Sequence, residues 1–558
     1  MAERAADVAA RDRRGAIGVA LLALAILVFA VWRATLGLTF SDDGHYTAMA
    51  MRLASGARPF TDERNVQALG FLVSIPFTKL WLAAVGTSYL ALALRLYYVV
   101  LAAIVGCVAY LCVRPSFGRL ASAVGIGAVL LAPPYSLLEV SYNTSSMLAL
   151  IAAAALGFAA VRDRRRNAAV ASAALLAFAS ISYPPLVLAA VAVFLSTLLL
   201  GDREVMKGMV AGGLVATAVI VLGLAATTSL AEIRATLAFA SSGLQNVHTP
   251  MWELHQVLLL SWDRILRLLV PLWALAAVAT MAPWRRLRTL AAASLPLAAV
   301  LPGALRIVGG GDRRYFGVYP SAFLVVFMIA ALLPVVAANA RRPSSDLTRL
   351  LVLTLPSAAV GYVVVAVTTN SGPYWGMPIV GVAPLALTVV IGWVGMVRSD
   401  MSGRIAVVAS VALLLVLVAL LAGTVFKRTS PLALDSRLAT GPYAGLAIDR
   451  GRASAIRDLT AAGQKWVRPD ATVFVIAGPG IYPIVGGRAY TPALWDTSGP
   501  QALGTIEYFD ERRAWPDVAF INLPQPALVA PKDPLVRRIE QDYRRVDEVA
   551  GFTIFVRR

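Results

Sequence analysis

Six consecutive residues, Ser41-Asp42-Asp43-Gly44-His45-Tyr46, carry the side chains best suited to proton transfer. A carboxylate here would accept a proton from a hydroxyl that is about to attack. Partial burial among apolar helices would raise its basicity. The plainer account is helix capping: Ser and Asp favour the N-cap, and the helix dipole favours acids in the first turn. Capping explains one acid well and the second only tolerably. His45 lies three residues after Asp42, on the same helical face. With His248 and His255 it could suggest a metal, but no two of the three have a recognised ligand spacing. A divalent metal is compatible with the chemistry but not indicated, and no cofactor is expected. The two cysteines, Cys107 and Cys112, are five apart in one apolar run and read as small buried hydrophobes, since neither a disulfide nor a zinc site suits them.

These groups must be positioned by a membrane. Hydrophobic residues make up 59% of the 558, against about 45–50% in ordinary soluble domains. The excess falls in runs of roughly 17–25 residues, the length that crosses about 30 Å of hydrocarbon as a helix. The expected spans are 16–38, 88–112, 120–137, 143–161, 168–182, 185–200, 208–228, 258–281, 289–308, 315–337, 347–367, 376–397 and 404–424, about 13 in all. The net charge of +19 is spread between the runs rather than gathered on one stripe, which argues against nucleic acid as a partner. Every second loop is basic: Arg114 and Arg119, Arg162 to Arg166, Arg203 and Lys207, Arg285 to Arg288, Arg341 to Arg349, Arg398 and Arg404. Loops near Pro133, Pro184 and Pro373 contain no Lys or Arg. The positive-inside rule then puts the N-terminus in the cytoplasm. The first run is too long for a cleaved signal peptide and reads as a retained helix.

The fold class expected is an all-α polytopic membrane protein with a small C-terminal extracytoplasmic α/β domain. Residues 1–424 form the membrane domain, including a first outer loop at 39–88 with interface helices at His45–Ser55 and Val66–Val85. Residues 425–558 form the outer domain, with helical patterns at 450–465 and 533–545. Its β-rich runs are at 472–476, 518–521 and 552–556, with Gly478-Pro479-Gly480 as punctuation. Scarce Lys beside abundant Arg and Ala fits a GC-rich bacterial source, and hence the inner membrane.

The run Asp42-Asp43-Gly44-His45-Tyr46-Thr47-Ala48-Met49-Ala50-Met51-Arg52-Leu53-Ala54-Ser55-Gly56 resembles the first outer loop of GT-C membrane glycosyltransferases. The likeness is to the branch of protein O-mannosyltransferases and lipid A aminoarabinose transferase. That branch shows an acidic pair, an aromatic, an amphipathic interface helix and a Gly, then an Arg early in the next span, where Arg95 stands here. The resemblance implies a polyprenyl-phosphate-linked sugar as donor, a glycan, lipid or protein acceptor, and Asp42 as the catalytic base. One such base suffices for an inverting transfer. Two departures stand out. Asp43 replaces the usual Glu, and Asn65-Val66-Gln67-Ala68-Leu69-Gly70 replaces a Lys-Pro-Pro-Leu stretch.

A leaving phosphate needs cations, and arginine offers paired, charge-assisted hydrogen bonds. Arg306, Arg313 and Arg314 lie at or beyond the outer end of a span, against the positive-inside trend, and are the phosphate candidates. The plainer account is interface arginines that snorkel. Arg52, Arg58 and Arg64 read as headgroup contacts. His45, Tyr46, Arg95, Tyr142, Asn143 and Tyr374 are candidate substrate contacts, although aromatics also collect at interfaces for lipid reasons alone. Two other classes compete: a transporter or flippase of lipid-linked glycans, and a scaffold that binds through its outer domain. Transporters place ionisable groups near mid-membrane in matched halves. Here the acids gather at the rim and no matched halves are seen.

Overall fold

The computed structural model describes residues 2–244, 274–275, 278–308, 320–368, 377–400, 403–424, 430–495, 497–522 and 533–558. Apolar runs fold as helices because each must satisfy its own backbone where water is absent. Helix α1 (Ala2–Ala34) leads into a segment with α2 (Asp42–Ala54), a 3-10 turn (Ala68–Ser74) and α3 (Ile75–Ala84). Pro76 falls in the first turn of α3, where a missing N–H costs nothing. Next come α4 (Leu90–Leu130), α5 (Tyr142–Asp163), α6 (Arg166–Ser182), α7 (Val187–Leu200), α8 (Arg203–Thr227) and α9 (Leu230–Leu244). The bundle closes with α10 (Arg285–Val308), α11 (Pro320–Arg341), α12 (Ser345–Thr368), α13 (Met377–Asp400) and α14 (Gly403–Gly423). Among the described residues, eight helices are long and apolar enough to cross a membrane. Helices α5 and α13 are buried on nearly every side and form the axis of the bundle.

The runs expected at 88–112 and 120–137 are the two arms of α4, divided at Gly118 with φ 77° and ψ 172°, a conformation that glycine adopts cheaply. A Cβ on Gly106 would lie 2.9 Å from the Leu130 side chain, so the two halves double back as a hairpin with Arg114 and Arg119 at its tip. The second half stops at Leu130 because Pro133 and Pro134 cannot continue it. Helices α6 and α7 have 17 and 14 residues, which give about 25 and 21 Å, less than a bilayer's hydrocarbon. The span expected at 258–281 lies largely outside the described residues.

Beyond the bundle, a short antiparallel pair, β1 (Ser436–Arg437) and β2 (Ala447–Ile448), precedes α15 (Arg450–Trp466). Then follow β3 (Thr472–Ile476), α16 (Tyr482–Val485), β4 (Arg488–Ala489), α17 (Ala502–Glu511), β5 (Val518–Ile521), α18 (Pro534–Asp542), β6 (Tyr543–Val549) and β7 (Phe552–Arg557). The sheet order is β4-β3-β5-β7-β6, parallel from β4 to β5 and antiparallel beyond. Alternate side chains serve two cores. Val473, Val475 and Phe520 pack with α15 and α16, while Phe474, Ile476 and Ala519 pack with α17 and α18. The helix expected at 533–545 ends at Asp542, and Tyr543 opens β6.

The sheet unit is built into the start of the chain. Gly37 N–H donates to Ala447 O, and Ala447 N–H donates to Thr35 O, both at 2.8 Å. Gly480 N–H donates to Phe40 O at 2.9 Å, and the Tyr443 hydroxyl donates to Gly480 O at 2.6 Å. Two glycines meet there: a Cβ on Gly480 would sit 2.8 Å from Phe40 Cα and 2.9 Å from Gly44 Cα. Tyr46, Met49 and Leu53 of α2 share one core with Leu446, Ile481 and Val485. Gly480→Val should therefore lower the thermal-unfolding midpoint, since overpacking costs about 1–3 kcal/mol. Gly403→Val, where a Cβ meets nothing within 4 Å, is the control, with both read by thermal unfolding in detergent.

Candidate functional site

The two adjacent acids have opposite environments. Both lie in the first turn of α2, but Ser41 at the N-cap makes no side-chain capping bond. The Asp43 carboxylate turns back along the chain instead. It accepts from Thr39 N–H at 2.8 and 3.0 Å, from the Thr39 hydroxyl, and from Arg95 at 3.3 Å. Only 2% of Asp43 is exposed. Asp42, one position earlier, remains half-buried. Its charge reaches Tyr46 and Glu139, helping to push both of those groups up.

Arg95, near the start of α4, organises the site. It donates to Glu139 at 2.6 Å, to Asp43, and to the carbonyls of Ala34, Leu36 and Gly37 at 3.2, 3.1 and 2.9 Å. Arg33, at the end of α1, donates to Leu36 O, Leu421 O and Thr424 O. Burial pushes the Glu139 carboxyl up to about 8, against the pull of Arg95. The sequence reading missed Glu139 and Arg33. Glu139 is an acid in an otherwise apolar turn, and Arg33 is a charge inside an apolar run. Either feature is a signal, because an ionised group is expensive there.

Four of the candidate substrate contacts cluster around Tyr46: His45, Tyr142 and Asn143 each meet it. The Tyr46 ring meets Tyr142 edge-on at 6.1 Å, and Asn143 Nδ2 donates to the Tyr46 hydroxyl at 3.4 Å. Ser141 and Thr144 form a capping box that fixes the start of α5 and hence Tyr142 and Asn143. His45 is held among Tyr46, Phe71 and Trp495. Burial, then Arg52, lowers its pKa to about 3, so the ring is neutral. Among the described residues, no group of three or more His, Cys, Asp or Glu is placed to hold a metal ion. Arg306 lies within α10, whereas Arg313, Arg314, Tyr374, His248 and His255 fall outside the described residues.

Two of the expected headgroup contacts are corrected. Arg52 is buried, pairing with Glu63 at 2.8 Å and donating to Asp62 O and Thr491 O. Glu63 in turn accepts from Leu494 N–H at 3.3 Å. Arg64 pairs with Glu511 at 3.2 Å, and Arg64 and Arg512 lie on the Tyr508 ring at 5.0 and 4.4 Å. Both arginines therefore bind the sheet unit rather than lipid. Only Arg58 remains exposed.

No protein-family model and no curated protein matches the chain. Solved structures align with it distantly. ArnT from Cupriavidus metallidurans, bound to undecaprenyl phosphate, aligns at 15% identity and a TM-score of 0.43, covering 97% of each chain. The Archaeoglobus fulgidus oligosaccharyltransferase in complex with Zn and sulfate aligns at 11% identity and a TM-score of 0.45, over 95% of this chain and 73% of its own. Likenesses at these TM-scores say nothing about what this chain acts on.

Two expected outcomes follow from the charges. Arg95→Met leaves two buried acids without their cation, a loss of about 3–5 kcal/mol. Arg95→Lys keeps the charge but not the fork of donors and should fall between Met and wild type. Thermal unfolding in detergent ranks the three. Burial also pushes Glu63 from 4.5 up to about 7. An acid raised in this way holds its proton more tightly folded than unfolded, so its contribution to stability is full below about 4.5 and is lost as pH rises to about 7. The loss is on the order of 3 kcal/mol. Glu63→Gln should therefore flatten the fall in unfolding midpoint between pH 5 and pH 8.

Proposed function

We propose that the chain is a membrane glycosyltransferase that moves a sugar from a polyprenyl-phosphate donor to an acceptor on the outer face of the inner membrane. Asp42 is the general base. The observation that supports this reading is the difference in access between neighbours: Asp43 is enclosed against Thr39 and Arg95, while Asp42, at the same helix start, is only half-buried. A base must come within hydrogen-bond reach of the hydroxyl it deprotonates, and an enclosed carboxylate cannot. Asp43 is thus a positioning residue and Asp42 the reactive one.

In the proposed step, Asp42 takes the proton of an acceptor hydroxyl as that oxygen attacks the anomeric carbon from the face opposite the phosphate. The bond from the anomeric carbon to the phosphate oxygen breaks, and the polyprenyl phosphate leaves with the electron pair. Arg306, Arg313 and Arg314 are proposed to meet that phosphate. The orientation with the N-terminus in the cytoplasm and residues 425–558 outside belongs to the same proposal.

Asp42→Asn should lower transfer of a radiolabelled sugar from polyprenyl phosphate by at least about 100-fold, the contribution of a positioned base. Its unfolding midpoint should stay near wild type. Asp43→Asn should lower both rate and midpoint, because Arg95 loses a partner. Unchanged transfer by Asp42→Asn sinks the assignment, and lipid movement without transfer in the wild type makes the chain a flippase.

A further inference from the structure

A long apolar groove runs between α1 and the α4 hairpin, from the hairpin tip to the edge of the Arg33–Arg95 cluster. Its volume is about 540 Å³, within the range of lipid- and drug-sized sites. Small residues make the gap: Ala16, Ala20 and Ala23 on α1, and Ala103 and Gly106 on α4. From Ala16 to Ala30 the wall measures about 21 Å at 1.5 Å per residue. Half of a bilayer's hydrocarbon is about 15 Å, so the groove takes a full acyl chain.

The two ends differ in charge. At the hairpin tip the groove is lined by Arg114 and Arg119. Arg114 lies 5.7 Å from the centre of the Tyr110 ring and, among the described residues, has no carboxylate within pairing distance. At the other end the groove reaches Leu138, which also borders the Arg33–Arg95 cluster. Those two arginines are already occupied by carbonyls and carboxylates. The polar side chain lining that end is Tyr98, a neutral hydroxyl. A phosphate therefore finds a cationic donor, Arg114, at the hairpin tip, where the charge of Arg119 adds to the attraction, and not at the Asp42 end.

We propose that this groove holds one anionic glycerophospholipid, its phosphate on Arg114 and Arg119 and an acyl chain along α1. By the charge pattern of the loops, the tip faces the cytoplasm, so the lipid comes from the inner leaflet, where anionic headgroups attract basic residues. This site is separate from any donor lipid, whose phosphate has to reach Asp42.

The test uses the full chain in bilayers of phosphatidylcholine, with or without phosphatidylglycerol, followed by detergent extraction and native mass spectrometry. One phosphatidylglycerol should remain bound in preference to phosphatidylcholine. Arg114→Gln with Arg119→Gln should reduce that retention about tenfold or more, the loss of about 1.4 kcal/mol. Ala103→Phe, which fills the groove and leaves both charges, should reduce it as well, while Asp42→Asn should not change it. Equal retention of the two lipids, retention unchanged in the double glutamine variant, displacement by inorganic phosphate alone, or displacement by undecaprenyl phosphate would each overturn the proposal.

Discussion

The contact on which the rest depends is the fork of Arg95. One guanidinium gathers two acids from different segments, Asp43 and Glu139, together with three carbonyls from the end of α1 and the turn after it. A buried arginine is costly unless its donors are used, and five bonds use them. The result is positional. The end of α1, the start of α2 and the turn before α5 are fixed relative to α4, and Asp42 inherits its place from that arrangement. A lysine offers a point charge and cannot reproduce the planar fan.

The second constraint comes from the sheet unit. Residues 35–64 are held by its backbone and side chains at Ala447, Gly480, Thr491 and Leu494. Arg52 and Glu63 form a buried ion pair across this seam, and a buried pair is stronger evidence for a fixed arrangement than for stability. The unit is therefore part of the scaffold that shapes the start of α2, whatever else it binds.

Much of this was legible in the sequence because membranes impose simple rules. Apolar run length and arginine placement gave the long helices, helical spacing gave α2, and an apolar run interrupted by Pro76 and Lys79 gave α3. Short β-rich runs gave β3, β5 and β7. The two arms of α4 and the basic tip between them were legible as separate runs, but their close approach at Gly106 was not. At the site, Asp42, Asp43 and Tyr46 were singled out by type and place, and Arg95 by the resemblance of the first loop. The partners Glu139, Glu63 and Thr491 were not, because they lie 44, 11 and 439 residues from the arginines they meet. Local pattern carries no information on contacts of that separation. Arg52 was misread for the same reason: an arginine on an interface helix looks lipid-facing until its distant acceptor is known.

The meeting of Gly44 with Gly480 has a consequence for how the molecule is made. The ribosome adds about 5–20 residues each second, so the loop bearing Asp42 waits roughly 20–90 s for the glycine that will seat it. Throughout that interval the turn from Phe40 to Gly44 lacks the backbone partner that seats it. A chain that stops before Gly480 therefore carries α1 and α2 without the seam that fixes where α2 begins.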